Sequence, residues 1–317
     1  MNDTTGTDEL TQLKRELSKL KLEANLRKSL STQLEAQKKI ADQAKEEALK
    51  KSGELEEVSH KLAKYLSPQI HEQIFSGKQS AEVTSYRKKL TVFFSDIVGF
   101  TSISDELESE EITNLINFYL NEMSIIALKY GGTIDKFIGD SIMIFFGDPT
   151  SKGTEEDARL CVNMAVEMLD KMDELKGTWG KNFGLRKDLE VRIGINTGYC
   201  TVGNFGSNER LDYTAVGGAV NLASRLESVA SSGSICISEE THLLVDTFFK
   251  FKEPKAIDVK GYLRKIRYFE LDRAVNKRRE HILRMKGDGF NISIDQEKIT
   301  MEEFLKIKES IDKLNLS

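Results

Sequence analysis

Cysteine, histidine, proline and tryptophan are scarce in this chain of 317 residues, with 3, 4, 3 and 1 copies respectively. The cysteines (Cys161, Cys200, Cys236) are scattered and odd in number, which argues against a disulfide framework and for reduced, packed thiols. The histidines (His60, His71, His242, His281) form no ligand spacing, so a zinc site is not expected and any metal must be held by carboxylates. No apolar run is long enough to span a bilayer. The opening "MNDTTGTDEL" is too acidic and polar for a signal peptide, and a cytoplasmic location is the reading. An excess of positive charge is absent too: the net charge is −5 with 31% charged residues. That balance points to a long solvated helix rather than a nucleic-acid surface.

Such a helix is readable near the start. From Asp8 to Leu66 there is no proline and a single glycine, Gly53, among good helix formers. Leu10, Leu13, Leu17 and Leu20 fall at the alternating spacings of a coiled-coil seam, which weakens and then resumes at Leu55, Val58, Leu62 and Tyr65. A continuous helix here would be roughly 90 Å long at 1.5 Å per residue and could not bury its stripe alone. A parallel dimer is the preferred reading; a solvated, partly frayed helix is the alternative. Pro68 in "YLSPQIHEQIFSGK" should break this helix or start a new one.

Mixed periodicities follow. "KKLTVFFSDIVGF" has a buried-strand pattern. Leu115, Ile116, Tyr119, Leu120 and Met123 recur at helical spacing. "IDKFIGDSIMIFFGD" reads as a hairpin of two short apolar strands, and "EEDARLCVNMAVEMLDKM" as a second amphipathic helix. "LEVRIGINTGYCTVGNF" reads as strand, turn, strand; "GGAVNLASRLESVA" as a helix; "SICIS" and "KIRYFEL" as strands. The order strand, helix, hairpin, helix, strand predicts an α+β fold, a ferredoxin-like βαββαβ core with added strands. The expected division is a coiled-coil helix over 1–66, a junction over 67–87, a catalytic domain over 88–273 and an extension over 274–317. In that extension, basic "KRREHILRMK" reads as a solvated helix face. "ITMEEF" carries Thr300 as N-cap with Glu303 three residues on, predicting a terminal helix that docks on the core or the coiled coil.

Charges on the hairpin need partners, because a charge on a half-buried strand is costly alone. Asp96 ends the first apolar strand and Asp140 sits at the hairpin tip. In a ferredoxin-like sheet the first strand is expected beside the second, so these acids can converge. Two adjacent carboxylates repel unless a cation lies between them. Hard oxygen ligands suit Mg²⁺ or Mn²⁺ completed by substrate phosphates. The backbone of "IVGFTS" with Gly99 would suit a polyphosphate. The plainer alternative is two turn residues, which Asp often is.

"FSDIVGFTSISD", "GGTIDKFIGDSIMIFFG", "RIGINTGYCTVGNFGS" and "DYTAVGGAVNLASRLE" resemble the successive signatures of the class III nucleotidyl cyclase catalytic domain. "VKGYLRKIRYFEL" resembles its last hairpin, so the likeness runs from about Lys88 to Leu271. "LSPQI" after a helical stretch resembles the signal-transmitting segment found ahead of many members. The resemblance implies a head-to-tail homodimer with active sites between chains and two Mg²⁺ (or Mn²⁺) per site. By position it implies Asp96 and Asp140 as metal-binding acids with the Ile97 carbonyl, and Lys136 and Thr214 as the purine-reading pair. Asn221 would position the ribose and Arg225 would meet the transition state. Lys260 and Arg210 would hold the triphosphate, with Phe100 and Thr101 in the substrate-binding loop. It further implies that Lys136 serves the partner's site while Asp140 serves its own.

Adenine presents an acceptor at N1 and a donor at N6, which suits Lys136 with Thr214, whereas guanine inverts both. ATP is therefore the expected substrate and cyclic AMP the product. The alternatives are a guanylate or dual-purine cyclase, or a silent regulatory nucleotide-binding module. A departure stands at Gly218, where many members carry a polar residue; glycine there loosens a helix start. An upstream sensor or a partner protein is the expected source of regulation.

Overall fold

The computed structural model describes residues 4–77, 83–207, 209–258, 265–280, 282–287, 290–295 and 299–312. The chain divides into two compact units, Met1–Leu66 and Ser67–Ser317. The first is one helix, α1 (Thr4–Leu62, 59 residues). From Leu13 to Leu55 its leucines, which would form the seam, are more than half exposed.

The second unit opens with α2 (Pro68–Phe75), where Pro68 starts a helix as its fixed φ allows. Then come β1 (Ser85–Ile97), α3 (Phe100–Glu106), α4 (Ser109–Tyr130), the hairpin β2 (Thr133–Ile138) and β3 (Ser141–Phe146), and α5 (Thr154–Glu174). After α6 (Thr178–Phe183) follow β4 (Val191–Gly206), β5 (Leu211–Val216), α7 (Gly218–Val229), β6 (Ile235–Ser238) and α8 (Glu239–Val245). The main sheet ends with β7 (Lys255–Ile257) and β8 (Ile266–Glu270). Its order is β2-β3-β1-β4-β6-β8-β7, with β5 pairing on β4. The first four strands have the ferredoxin-like arrangement.

From Leu90 onward both faces of β1 are buried, which is why that part reads as a nearly continuous apolar run. Phe93 and Ile97 pack with Leu115, Tyr119 and Met123 of α4 and with Val162 and Leu169 of α5. Leu90, Val92 and Phe94 pack on the other side with Val220 and Ala223 of α7. Cys161, Cys200 and Cys236 are free and buried.

Three readings need correction. The neighbour of β1 is β3, the returning arm of the hairpin, rather than β2; Ser95 stands opposite Ile142. This still brings Asp140, one residue before β3, to the end of β1. The "strand, turn, strand" is one 16-residue strand, β4, paired with β1 from Ser85↔Gly203 to Ile97↔Val191. Its glycines are there for close approach: a Cβ on Gly194 would lie 2.1 Å from the Glu227 backbone nitrogen of α7, and one on Gly198 2.9 Å from the Ala219 Cβ. "KRREHILRMK" is a helix only as far as Glu280, in α9 (Arg273–Glu280). β9 (Ile282–Gly287) follows, pairing antiparallel with β10 (Phe290–Asp295). The sequence Gly287-Asp288-Gly289 between those strands is hairpin composition that a basic-run reading overlooks. The terminal helix α10 (Met301–Asp312) forms with its capping box, Thr300 N donating to Glu303 at 2.9 Å and Glu303 N to Thr300 Oγ1 at 3.3 Å. Its Met301, Phe304, Leu305 and Ile311 are exposed, since a capping box stabilises a helix without supplying a surface to bury it on.

Candidate active site

Asp96 and Asp140 meet where β1 ends and β3 begins. Asp96 accepts hydrogen bonds from Ser141 Oγ at 2.6 Å and from Arg192 of β4 at 2.9 Å. Asp140 accepts from the Ile97 backbone N–H at 3.1 Å. Burial first, and then the charge of Asp96, pushes the Asp140 carboxyl up to about 6. Beneath them Tyr119 is fully buried; desolvation above all, with the two acids adding, pushes its phenol well above its ordinary value.

Arg192 was not singled out from the sequence, yet it links three elements. It bonds Asp96 on β1 and forms an ion pair at 2.6 Å with Glu227 on α7. Burial would lower its pKa, but Glu227 and Asp96 outweigh that and raise it. Burial raises the Glu227 carboxyl despite the arginine. The signal available was the one charged residue of β4, the arginine in "VRIGIN".

A second cluster lies where β2 meets β5. Thr214 Oγ1 donates to Asp135 Oδ2 at 2.5 Å, the Ala215 N–H lies 3.4 Å from the same oxygen, and Lys136 Nζ is 3.4 Å from Oδ1. The pairing of β2 with β3 shifts register between Ile134 and Lys136, so Asp135 sits at an irregularity in the strand. Its side chain is 1% exposed, against 40% for Lys136. Burial raises the Asp135 pKa against the lowering pull of Thr214 and Lys136. Asp135 was the other residue overlooked, because its neighbour Lys136 took the attention.

The remaining residues are placed as follows. Asn221 and Arg225 lie on the exposed side of α7, while Leu222, Ala223, Leu226 and Glu227 face inward. Among the described residues no hydrogen bond or ion pair links either of them to Asp96 or Asp140. α7 begins at Gly218 with Gly217 as N-cap and no side-chain cap, and the Val220 and Asn221 N–H groups donate to the Gly217 carbonyl at 3.2 and 3.3 Å. Phe100 packs its ring against the core below α4 and α5, and Thr101 is exposed. Arg210 is exposed in the turn before β5, where its N–H donates to Ser207 Oγ. Lys260 lies outside the described residues. A cavity of about 540 Å³ opens beside the first turn of α7, lined by Asn196, Tyr199, Ala219, Leu222 and Arg267 among others, and neither acid lines it.

The sequence profile of the adenylate and guanylate cyclase catalytic domain matches residues 83–272. The chain belongs to this family. The cyclase domain is 35% identical over 172 residues to an adenylate cyclase of Anabaena cylindrica, covering 54% of this chain and 32% of that one. Among solved structures, the adenylyl cyclase CyaB of P. aeruginosa aligns with a TM-score of 0.58 at 54% identity, over 60% of this chain and 96% of that one. The guanylyl cyclase Cya2 aligns at 0.56 with 36% identity, over 59% and 93%. The chain spans about a third or less of the length of the curated relatives it matches first. Cyclases of this family work with divalent metal, and the donor set here fits one. Two hard carboxylates repelling each other gain from a cation between them. Among the described residues no group of three or more His, Cys, Asp or Glu side chains could hold a metal, so backbone, water or phosphate oxygens must complete the set.

Proposed function

We propose that the protein is an adenylate cyclase, converting ATP to 3′,5′-cyclic AMP and pyrophosphate at sites shared between two copies of the chain. The observation that carries the reading is the meeting of Lys136 and Thr214 on one carboxylate, although Thr214 lies 79 residues from Asp135. Lys136 donates to N1 of adenine and Thr214 accepts from N6. The 3′-hydroxyl oxygen attacks the α-phosphorus, the bond to the β-phosphate oxygen breaks, and the hydroxyl proton leaves to water or substrate.

Asp96, Asp140 and the Ile97 carbonyl would hold two Mg²⁺ or Mn²⁺, whose chemistry there would be to lower the hydroxyl pKa and neutralise the phosphates. Arg225 faces the charge building on the α-phosphate, for which a planar guanidinium is suited, and Asn221 holds the ribose. Lys260 and Arg210 hold the triphosphate. The backbone N–H groups of Gly99, Phe100 and Thr101 have no partner among the described residues and serve the phosphates; the packed Phe100 ring fixes that loop. Removing Asn221 or Arg225 lowers turnover ~10²-fold or more if each acts mainly in the transition state. The outward placement of Asn221 and Arg225 supports a site completed by a second chain.

Incubating the full chain with ATP or GTP and Mg²⁺ or Mn²⁺, with products identified by mass spectrometry, tests this. Cyclic AMP that disappears on Asp140→Ala is the expected result. Cyclic GMP as the main product makes the protein a guanylate cyclase, and no cyclic product from a nucleotide-binding dimer makes it a regulatory module.

A further inference from the structure

We infer that Asp135 sets the purine choice of this site by fixing the direction of the Thr214 hydroxyl. The inference rests on the assignment of Lys136 and Thr214 to the purine. A threonine hydroxyl has one hydrogen and two lone pairs. Free to rotate, it would donate to O6 of guanine as readily as it accepts from N6 of adenine, and so would select neither.

Here the hydrogen is committed. Thr214 Oγ1 donates to Asp135 Oδ2 at 2.5 Å, the length of a hydroxyl bond to an ionised carboxylate. The Ala215 N–H approaches the same oxygen at 3.4 Å, and the Lys136 ammonium stands 3.4 Å from the other. The hydroxyl and the N–H converge on Oδ2 with the ammonium beside Oδ1, and this geometry favours the ionised carboxylate; burial is the larger influence and raises its pKa. A carboxylate has no hydrogen to return, so Thr214 must be the donor in this pair. Toward the nucleotide it presents lone pairs alone. An amino group at the purine 6-position is then accepted, whereas a carbonyl oxygen there meets lone pairs and loses its hydrogen bond.

The same acid acts on the second reader. An ammonium has three hydrogens and no lone pair, and its ion pair with Asp135 at 3.4 Å leaves those hydrogens for the base. Asp135 thereby keeps Lys136 a donor and Thr214 an acceptor, the pattern complementary to N1 and N6 of adenine and opposed to N1 and O6 of guanine. The fold builds this with the register shift in β2 and with β5, which brings Thr214 to that irregular position. Asp135 is thus a positioning residue for specificity, not a group that touches the substrate.

The test is kcat/KM for ATP and for GTP, measured on the full chain and on Asp135→Asn, Thr214→Val and the double variant. The neutral amide can turn its NH2 toward Thr214 and release the hydroxyl hydrogen. Asp135→Asn is expected to lower the ATP-over-GTP ratio at least tenfold, with the thermal midpoint little changed. Thr214→Val lowers the ratio by a similar factor, and the double variant lowers it no further, because both changes act through one hydroxyl. A ratio within twofold of wild type in Asp135→Asn, alongside a collapse in Thr214→Val, overturns the inference. Multiplying effects in the double variant overturn it as well.

If Asp135→Asn does not fold, Thr214→Asn keeps the question open to experiment. With Asp135 in place its amide NH2 is drawn to the carboxylate and its carbonyl faces the base, so ATP preference persists; equal use of both purines overturns the inference. Cyclic GMP, or no cyclic product, from the wild type refutes the purine assignment itself and takes this inference with it, and is seen before any variant is compared.

Discussion

Asp140 illustrates how a site residue destabilises the fold that holds it. Its carboxylate is half withdrawn from water beside Asp96, and together these push it up to about 6 from the unfolded value of 3.8. An acid whose folded pKa is raised favours the folded state when protonated. Its ionised form therefore lowers stability as pH rises through about 6, and the effect vanishes below 3.8. Asp140→Asn, measured without divalent cation, is expected to raise the thermal midpoint at pH 7.5 by a few degrees. That corresponds to ~1 kcal/mol after allowance for partial solvent screening. At pH 3.5 the gain should be gone. An equal gain at both pH values would show that Asp140 costs stability through packing rather than charge. Thr214 and Lys136 were legible as candidate site residues from their local motifs. Asp135 and Arg192 were not, since their significance lies in partners 79 and 96 positions away along the chain.

At the scale of elements, the junction of β4 with α7 organises the catalytic region. Glu227 turns inward from α7 to Arg192, and Arg192 reaches Asp96, so the helix bearing Asn221 and Arg225 is tied to the strand bearing Asp96. The tie requires the helix to lie against the strand backbone. Gly194→Ala would place a methyl 2.1 Å from the Glu227 nitrogen and 2.3 Å from the Ala223 carbonyl oxygen. Backbone cannot give way as a flexible side chain does, so a loss of ~3 kcal/mol or more is expected, read as a fall in the denaturant midpoint. The same substitution at Gly53, exposed in α1 with nothing within 4 Å of an added Cβ, is expected to raise helix stability by ~1 kcal/mol. Equal effects at both sites would remove close approach as the reason for Gly194. The amphipathic helices and the β2–β3 hairpin were readable because their periods differ. A turn was misread within "LEVRIGINTGYCTVGNF" because glycine signals both a turn and a close contact, and only the packed helix distinguishes them.

At the scale of the whole molecule, the decisive question is what covers α1. Leu13, Leu17, Leu20 and Leu55 are exposed along it, and burying each is worth ~1.5–3 kcal/mol. We propose that a parallel coiled coil between two copies buries them, consistent with the seam spacing. Leu17→Glu with Leu20→Glu should weaken self-association of the full chain at least tenfold in sedimentation. Unchanged association would assign dimerisation to the catalytic domain alone. Site sharing has its own test: Asp96→Ala and Arg225→Ala should each be nearly inactive, and a mixed dimer should recover one complete site. Mixed dimers without recovery would contradict a shared site.

Local patterning alone determined the long helix, the βαββαβ order and the family, because periodicity and short motifs are properties of neighbouring residues. It also named Asp96, Asp140, Lys136, Thr214, Asn221 and Arg225 as candidate site residues. Tertiary structure decided that β3 rather than β2 flanks β1, that β4 runs unbroken, and that Arg192 holds Asp96 to α7. It also decided that Asp135 joins Lys136 to Thr214. Each of these depends on atoms brought together from distant parts of the chain. Hydrogen-bond direction and burial, which give those residues their chemistry, exist only once the sheet has formed.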